Sequence, residues 1–198
     1  MSSEKKSNLK GITRLFSALA GIILFVVIFL PIWKIELTAP QYPEGLEMYI
    51  HADKLSGEVE IINGLNHYIG MKELHAEDFI EFTVLPYLLG FFAVLGLLVS
   101  LINKKWLYYI WIIGFALFGI GVIIDFYLWL YDYGHNLDPA APIKVPGMTY
   151  QPPMIGFKQL LNFGAYSIPA IGGWMVFLAT FIMGATLAIE TKFKKKKI

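Results

Sequence analysis

The sequence contains no cysteine among its 198 residues. This absence excludes disulfide bonds, thiolate metal sites, iron–sulfur clusters and thiol-based redox chemistry, so any bound metal has to rely on histidine, methionine or carboxylate ligands. Charge is also scarce, because charged residues make up 16% of the chain, against about 25% in an ordinary soluble domain. Hydrophobic residues make up 57%, and this balance indicates a membrane protein.

Missing motifs exclude several classes of enzyme. The long apolar stretches contain no histidine, which excludes the bis-histidine haem b that helical membrane bundles usually hold. The sequence has no C-x-x-C-H motif for c-type haem and no P-loop for ATP hydrolysis. It also has no G-x-S-x-G motif of a nucleophilic hydrolase. We therefore predict that the protein is not an enzyme.

Four apolar runs are each long enough to cross a bilayer, which needs about 20 mostly apolar residues. A cleavable signal peptide is the alternative for the first run, but that run exceeds the 7–15 residues of a typical signal and no A-x-A pattern ends it. The predicted fold class is therefore an all-α membrane protein, a four-transmembrane-helix bundle with a small extracytoplasmic β-containing cap. The predicted spans are residues 15–33, 82–102, 106–131 and 167–189.

The distribution of basic residues orients these spans. Of the 16 basic residues, 11 lie in three short pieces, which are the N-terminus 1–14, the turn 103–105 and the tail 190–198. The positive-inside rule places these pieces, and both termini, in the cytoplasm of a bacterial inner membrane. The loops 34–81 and 132–166 then lie in the periplasm. Because the basic tail suits anionic lipid headgroups, we predict the bilayer, and not nucleic acid, as its partner.

The two periplasmic loops differ in their patterns. Alternating apolar and polar residues at 46–50 and 59–61 predict a β-hairpin, and residues 65–74 form either a short helix ended by Gly70 or an irregular loop. The second loop is rich in proline, and its residues 155–163 resemble a short interfacial helix. Its apolar residues predict that it packs over the sheet of the first loop and buries Met48 or Ile50.

Histidine and methionine in these loops suggest a copper site. All four histidines and four of the seven methionines lie there, and imidazole with thioether suits Cu(I) and Cu(II). The opposing interpretation is that histidine is simply kept out of apolar spans and that methionine fills small cores. If copper binds, His67 and Met71 are the first predicted ligands because a helical spacing of four puts both on one face. The other candidate ligands are Met48 and His51 as a second pair, with His135 and Met148.

Two acidic residues lie at or near the outer ends of predicted spans. An acid within a span is a functional candidate, which applies to Asp125. Its simpler interpretation is hydration at the interface or pairing with a tyrosine hydroxyl. Glu81 begins the second span, where a negative charge stabilises a helix N-terminus. If the second and third spans pack together, the two carboxylates approach each other beneath the loops.

The segments INGLNHYIGMKEL (residues 62–74) and PPMIGFKQLLNFGAYSIPAIGGW (residues 152–174), placed in a four-span layout, resemble the four-span membrane proteins encoded beside clade II nitrous oxide reductases. The resemblance implies an accessory role in the maturation, copper supply or electron supply of a periplasmic copper enzyme. The alternative is a noncatalytic membrane scaffold or complex subunit that docks a periplasmic partner. A small transporter is a third possibility.

Overall fold

A computed structural model describes residues 8–160 and 162–192. The predicted basic clusters at residues 5–6 and 194–197 lie outside the described residues. The helices are α1 (Gly11–Val27), α2 (Val59–Ile69), α3 (Ile80–Ile102), α4 (Lys105–His135) and α5 (Ile171–Lys192), with one 3-10 turn at Ala76–Asp78. The strands are β1 (Trp33–Ala39), β2 (Tyr42–Ile50), β3 (Leu55–Gly57), β4 (Gly156–Leu160) and β5 (Phe163–Pro169).

The predicted four-transmembrane-helix bundle is wrong. Among the described residues, three helices, α3, α4 and α5, are long and apolar enough to cross a membrane, and five strands form one antiparallel sheet. The first apolar run gives α1 with 17 residues, short of the roughly 20 that a span needs. The helix stops because a residue before proline avoids the helical conformation, and after Pro31 the chain extends into β1. The three long apolar helices indicate a membrane protein that combines helices with a sheet.

The sheet is attached directly to the helices. Its strand order is β3-β2-β1-β5-β4, so β1 and β5 are neighbours at its centre. Strand β1 follows α1 after a short turn, and β5 leads into α5. At this junction the Ala170 N–H donates to the Ile32 carbonyl at 3.0 Å, and the Gly172 N–H donates to the Pro31 carbonyl at 2.8 Å. The central strands are thus held by two packed helices.

The second loop enters the sheet, whereas residues 155–163 were expected to form an interfacial helix. Strand β5 pairs with β1 from Trp33↔Pro169 to Thr38↔Gly164, and β4 pairs with β5. Residues 156–160 pair with β5 instead, and this pairing is favoured because a short isolated helix is marginal by itself. The two loops are in contact and Met48 is 3% exposed, but β5 and β4 extend the sheet of the first loop from the edge of β1 instead of packing over it as predicted.

Helix α2 covers one face of the sheet. Residues 59–61, predicted as a strand, begin this helix, and the hairpin partner of β2 is the short strand β3. Helix α4 has 31 residues, about 46 Å at 1.5 Å per residue, so its C-terminal end extends past a hydrocarbon core of about 30 Å. That end packs against the sheet and α2 in a core formed by Ile35, Leu46, Met48, Ile62, Leu74 and Tyr133.

Candidate functional site

The predicted pair His67 and Met71 is separated by the end of α2. The helix stops at Ile69, and Gly70 takes a left-handed conformation with φ 79°, which glycine adopts without steric cost. The Met71 side chain lines a cavity of about 70 Å³ between the sheet, α2 and the end of α4. His67 is exposed, with its ring against Tyr68. The change of direction at Gly70 puts the two side chains in different surroundings.

The predicted pair Met48 and His51 is divided by the sheet. Met48 lines the same cavity as Met71. The His51 ring contacts Ser56, with Nε2 and Oγ 2.9 Å apart. Ser56 pairs with Tyr49, whose side chain projects from the face opposite Met48 because strand residues alternate.

The four predicted copper ligands therefore do not form one coordination sphere. Two thioethers meet at the cavity, and none of its lining residues is histidine. Within residues 8–160 and 162–192, no group of three or more histidine or acidic side chains is arranged to hold a metal ion. Copper binding stays a prediction, and the geometry adds no support to it.

The other candidate residues lie apart from one another. His135 is exposed and stacks on the Tyr131 ring, with centroids 3.9 Å apart. Met148 packs in a small cluster that also includes Met71. Asp125 is exposed on α4, and the charge of Glu81 acts on its carboxylate. Among the described residues, no ion pair joins either acid to a predicted copper ligand.

An aromatic and acidic row crosses the sheet on the side away from α2. Phe157 pairs with Tyr166, Tyr166 with Glu36, and Glu36 with Glu47. Directly paired residues project from the same face of a sheet. Phe157 is 61% exposed and Tyr166 is 41% exposed, so this face is open to its surroundings. We call it the open face, defined by Lys34, Glu36, Glu47, Tyr49, Phe157 and Tyr166.

A charged network holds the centre of the open face. Lys34 Nζ lies 3.1 Å from Glu36 Oε2 and 2.5 Å from Glu47 Oε1. The Tyr49 hydroxyl donates a hydrogen bond to the other oxygen of Glu47. The hydrogen bond with Glu47 raises the pKa of Lys34, and the hydrogen bond from Lys34 lowers the pKa of Glu47. One lysine, Lys34, thus faces the two carboxylates of Glu36 and Glu47.

A pattern in the sequence indicates the central strand of the open face. Residues 33–38 alternate between apolar Trp33, Ile35 and Leu37 and polar residues, which is the pattern of a strand with one buried face. Of these residues only Trp33 belongs to the predicted first span, and the prediction for the loop 34–81 placed no strand at residues 34–38. The partners of this strand in β5 are about 130 residues away, and no local pattern identifies them.

Comparison with protein-family models, curated proteins and solved structures finds no match to this chain. The resemblance to the proteins encoded beside nitrous oxide reductases therefore remains a hypothesis.

The His51 ring is expected to titrate at a lower pH than an ordinary histidine. Burial lowers the pKa of His51 from 6.5, and the positive charge of Lys54 acts in the same direction. Because the fold favours the neutral ring, the unfolded chain binds more protons below pH 6.5, and stability falls as the pH drops from there to the folded pKa. An NMR titration of the His51 ring, assigned with His51→Gln, should give a midpoint below 6.5. A midpoint of 6.5 or above contradicts this account.

Proposed function

We propose that the chain is a noncatalytic accessory protein of a bacterial inner membrane that docks a periplasmic protein partner through the open face. The observation that carries this proposal is the row of exposed Phe157 and Tyr166 in register with Glu36 and Glu47. Exposed aromatic side chains are frequent anchors of protein interfaces, and charged groups at their rim select the partner.

The placement of the sheet supports the periplasmic assignment. All the chain segments that build the sheet and α2 connect helix ends on one side of the helices, and the tight turn between α3 and α4 lies on the other. That other side carries Lys104 and Lys105 with Arg14 near the start of α1. The positive-inside rule assigns such a side to the cytoplasm, which puts the sheet in the periplasm.

The charge of the open face defines the kind of partner. Lys34 pairs with both Glu36 and Glu47, so one carboxylate charge is left over beside the aromatic pair. A partner surface with arginine or lysine next to an apolar patch complements this arrangement. A periplasmic metalloenzyme, as the sequence resemblance implies, is the proposed partner. The docking role requires only a surface, whereas copper supply requires ligands that the described residues do not bring together.

Site-specific photo-cross-linking in cells tests the proposal. A photoreactive amino acid at position 157 should capture one periplasmic protein. The matched control is position 68, because Tyr68 is 56% exposed but lies on α2, on the other side of the sheet. Reversing charge with Glu36→Lys and Glu47→Lys should reduce the adduct at position 157 about tenfold, since like charges then meet across the interface. Equal capture from both positions, or no effect of charge reversal, contradicts docking through the open face.

A further inference from the structure

Two cavities meet at Tyr150 on the covered side of the sheet. The inner cavity, of about 70 Å³, is lined largely by apolar side chains that include Met48, Met71 and Trp129. The outer cavity, of about 170 Å³, lies between Ile69 and the loop of residues 137–145. Tyr150 and Ile69 line both cavities, so the two cavities are neighbours.

Two residues that line the inner cavity carry buried polar atoms without a hydrogen-bond partner among the described residues. Tyr150 is 2% exposed, and its hydroxyl has no hydrogen-bond partner among the described residues. The Trp129 Nε1 is also buried without a partner in the same part of the chain. Buried polar groups are normally hydrogen-bonded, so these two are suited to contact oxygen atoms of a ligand. A largely apolar cavity with a few polar groups is the usual form of a small-molecule site.

The outer cavity provides a positive charge. Lys144 lines it and is exposed, and no carboxylate among residues 8–160 and 162–192 forms an ion pair with it. Asp138 also lines this cavity, but its carboxylate accepts a hydrogen bond from the Ala140 N–H at 2.7 Å within its own turn. The ammonium group is therefore available to an anionic group.

We propose that the two cavities together bind an anionic amphiphile. Its carboxylate pairs with Lys144 and accepts a hydrogen bond from the Tyr150 hydroxyl, and its chain extends past Tyr150 towards Met48 and Met71. A cavity of about 150 Å³ holds one benzene ring, and the inner cavity has about half that volume, so it takes the end of the chain while the carboxylate and the adjoining carbons lie in the outer cavity. The site is on the side of the sheet opposite the open face, and it does not depend on the docking proposal.

Photolabelling of the full-length chain in lipid nanodiscs tests this site. The probe is decanoate with a diazirine at the end of its chain, mapped by mass spectrometry. Label is expected on the inner cavity wall at Met48, Met71 or Leu160, and unlabelled decanoate should compete more strongly than decanol. Lys144→Gln should reduce labelling at least fivefold and Tyr150→Phe should also reduce it. The matched control, Lys54→Gln, should leave labelling unchanged, because Lys54 lies on the β2–β3 turn.

Three results overturn the proposal. The first is label confined to lipid-facing residues such as Phe181, which is 74% exposed. The second is equal labelling of Lys144→Gln and the unchanged protein, which is informative because Lys144 is exposed and its loss leaves the core intact. The third is undiminished labelling after Ala141→Trp, because Ala141 lines the outer cavity and the larger ring fills it.

Discussion

Replacing Glu190 with alanine is expected to lower the free energy of unfolding by about 3–5 kcal/mol, the usual effect of removing one partner of a buried ion pair. Glu190 is 2% exposed near the end of α5. Its Oε1 accepts hydrogen bonds from the Lys10 N–H at 2.9 Å and from the Thr13 hydroxyl at 2.8 Å. Its Oε2 lies 3.1 Å from Lys105 Nζ but off the line of a hydrogen bond, so that contact is chiefly an attraction between charges.

The Glu190 carboxylate therefore joins three helices at the end opposite the sheet. It lies at the N-termini of α1 and α4, where a negative charge is stabilising, and it is carried by α5. Without it, the Lys105 ammonium, whose side chain is 26% exposed, has no partner in the described contacts. The Thr13 hydroxyl, fully buried, also loses its acceptor, which adds a desolvation cost.

Two further variants separate the contributions to this effect. Glu190→Gln keeps an oxygen for Lys10 and Thr13 but removes the charge, so it should lose less stability than Glu190→Ala. Thr191→Ala is the matched control, because Thr191 is the exposed neighbour on the same helix. Reversible unfolding in mixed detergent micelles gives the free energy of unfolding of Glu190→Ala, Glu190→Gln and Thr191→Ala. If Glu190→Ala unfolds like Thr191→Ala, the buried ion pair has no part in stability.

The helices were predictable from the sequence wherever apolar length alone decided them. Helices α3 and α4 begin within two residues of the predicted spans 82–102 and 106–131. The first and last apolar runs were different, because their sheet-side ends, 28–33 and 167–169, continue into β1 and β5. The residues at these ends, such as Ile32, Trp33, Ile168 and Pro169, are as apolar as the end of a span. Whether such a segment is a strand or the end of a membrane span is decided by pairing between residues about 130 positions apart. Such pairing has no local signature in the sequence.

None of the residues of the open face was a predicted site residue, and the predicted copper ligands were located by segment but not by geometry. The sequence correctly placed His51, His67, Met48 and Met71 in the segments that form the sheet and its cover. It did not show that Met48 points into the cavity while His51 points away, which follows from the alternation along β2. It also did not show that the end of α2 at Gly70 separates Met71, in the cavity, from the exposed His67. The role of Glu190 was also missed, because its partners Lys10, Thr13 and Lys105 come from two other helices.

The sequence also does not show which glycines of the helices face another helix. A Cβ added at Gly119, Gly121 or Gly184 meets no atom within 4 Å. Close approaches occur between α1 and α3, at Gly21 and Gly96, and at the start of α5, where Gly172 and Gly173 lie against the backbone of residues 31 and 32. Glycine permits close packing of membrane helices, but only the three-dimensional arrangement shows which glycines face another helix.

Gly96→Val is expected to lower the free energy of unfolding by about 3 kcal/mol or more, at the upper end of the destabilisation that overpacking a core produces. A Cβ at Gly96 would lie 2.8 Å from Trp111 Cζ2, 3.1 Å from the Gly21 Cα and 3.1 Å from the Ser17 carbonyl oxygen. Two of these atoms belong to the backbone of α1. Trp111 is fully buried, and its Nε1 donates a hydrogen bond to the Phe92 carbonyl at 2.9 Å. None of these atoms can move aside without cost, so α1 must move away from α3.

Gly119→Val is the matched control for this prediction, since position 119 lies in a helix and faces open space. Valine forms helices slightly better than glycine, so this variant should change stability by less than about 1 kcal/mol. The same unfolding measurement applies to both variants. A similar result for the two positions contradicts the packing of α1 against α3 at Gly96. Because α1 leads directly into β1, a displaced α1 should also disturb the sheet, and the Gly96→Val variant should then lose cross-linking at position 157 while Gly119→Val keeps it.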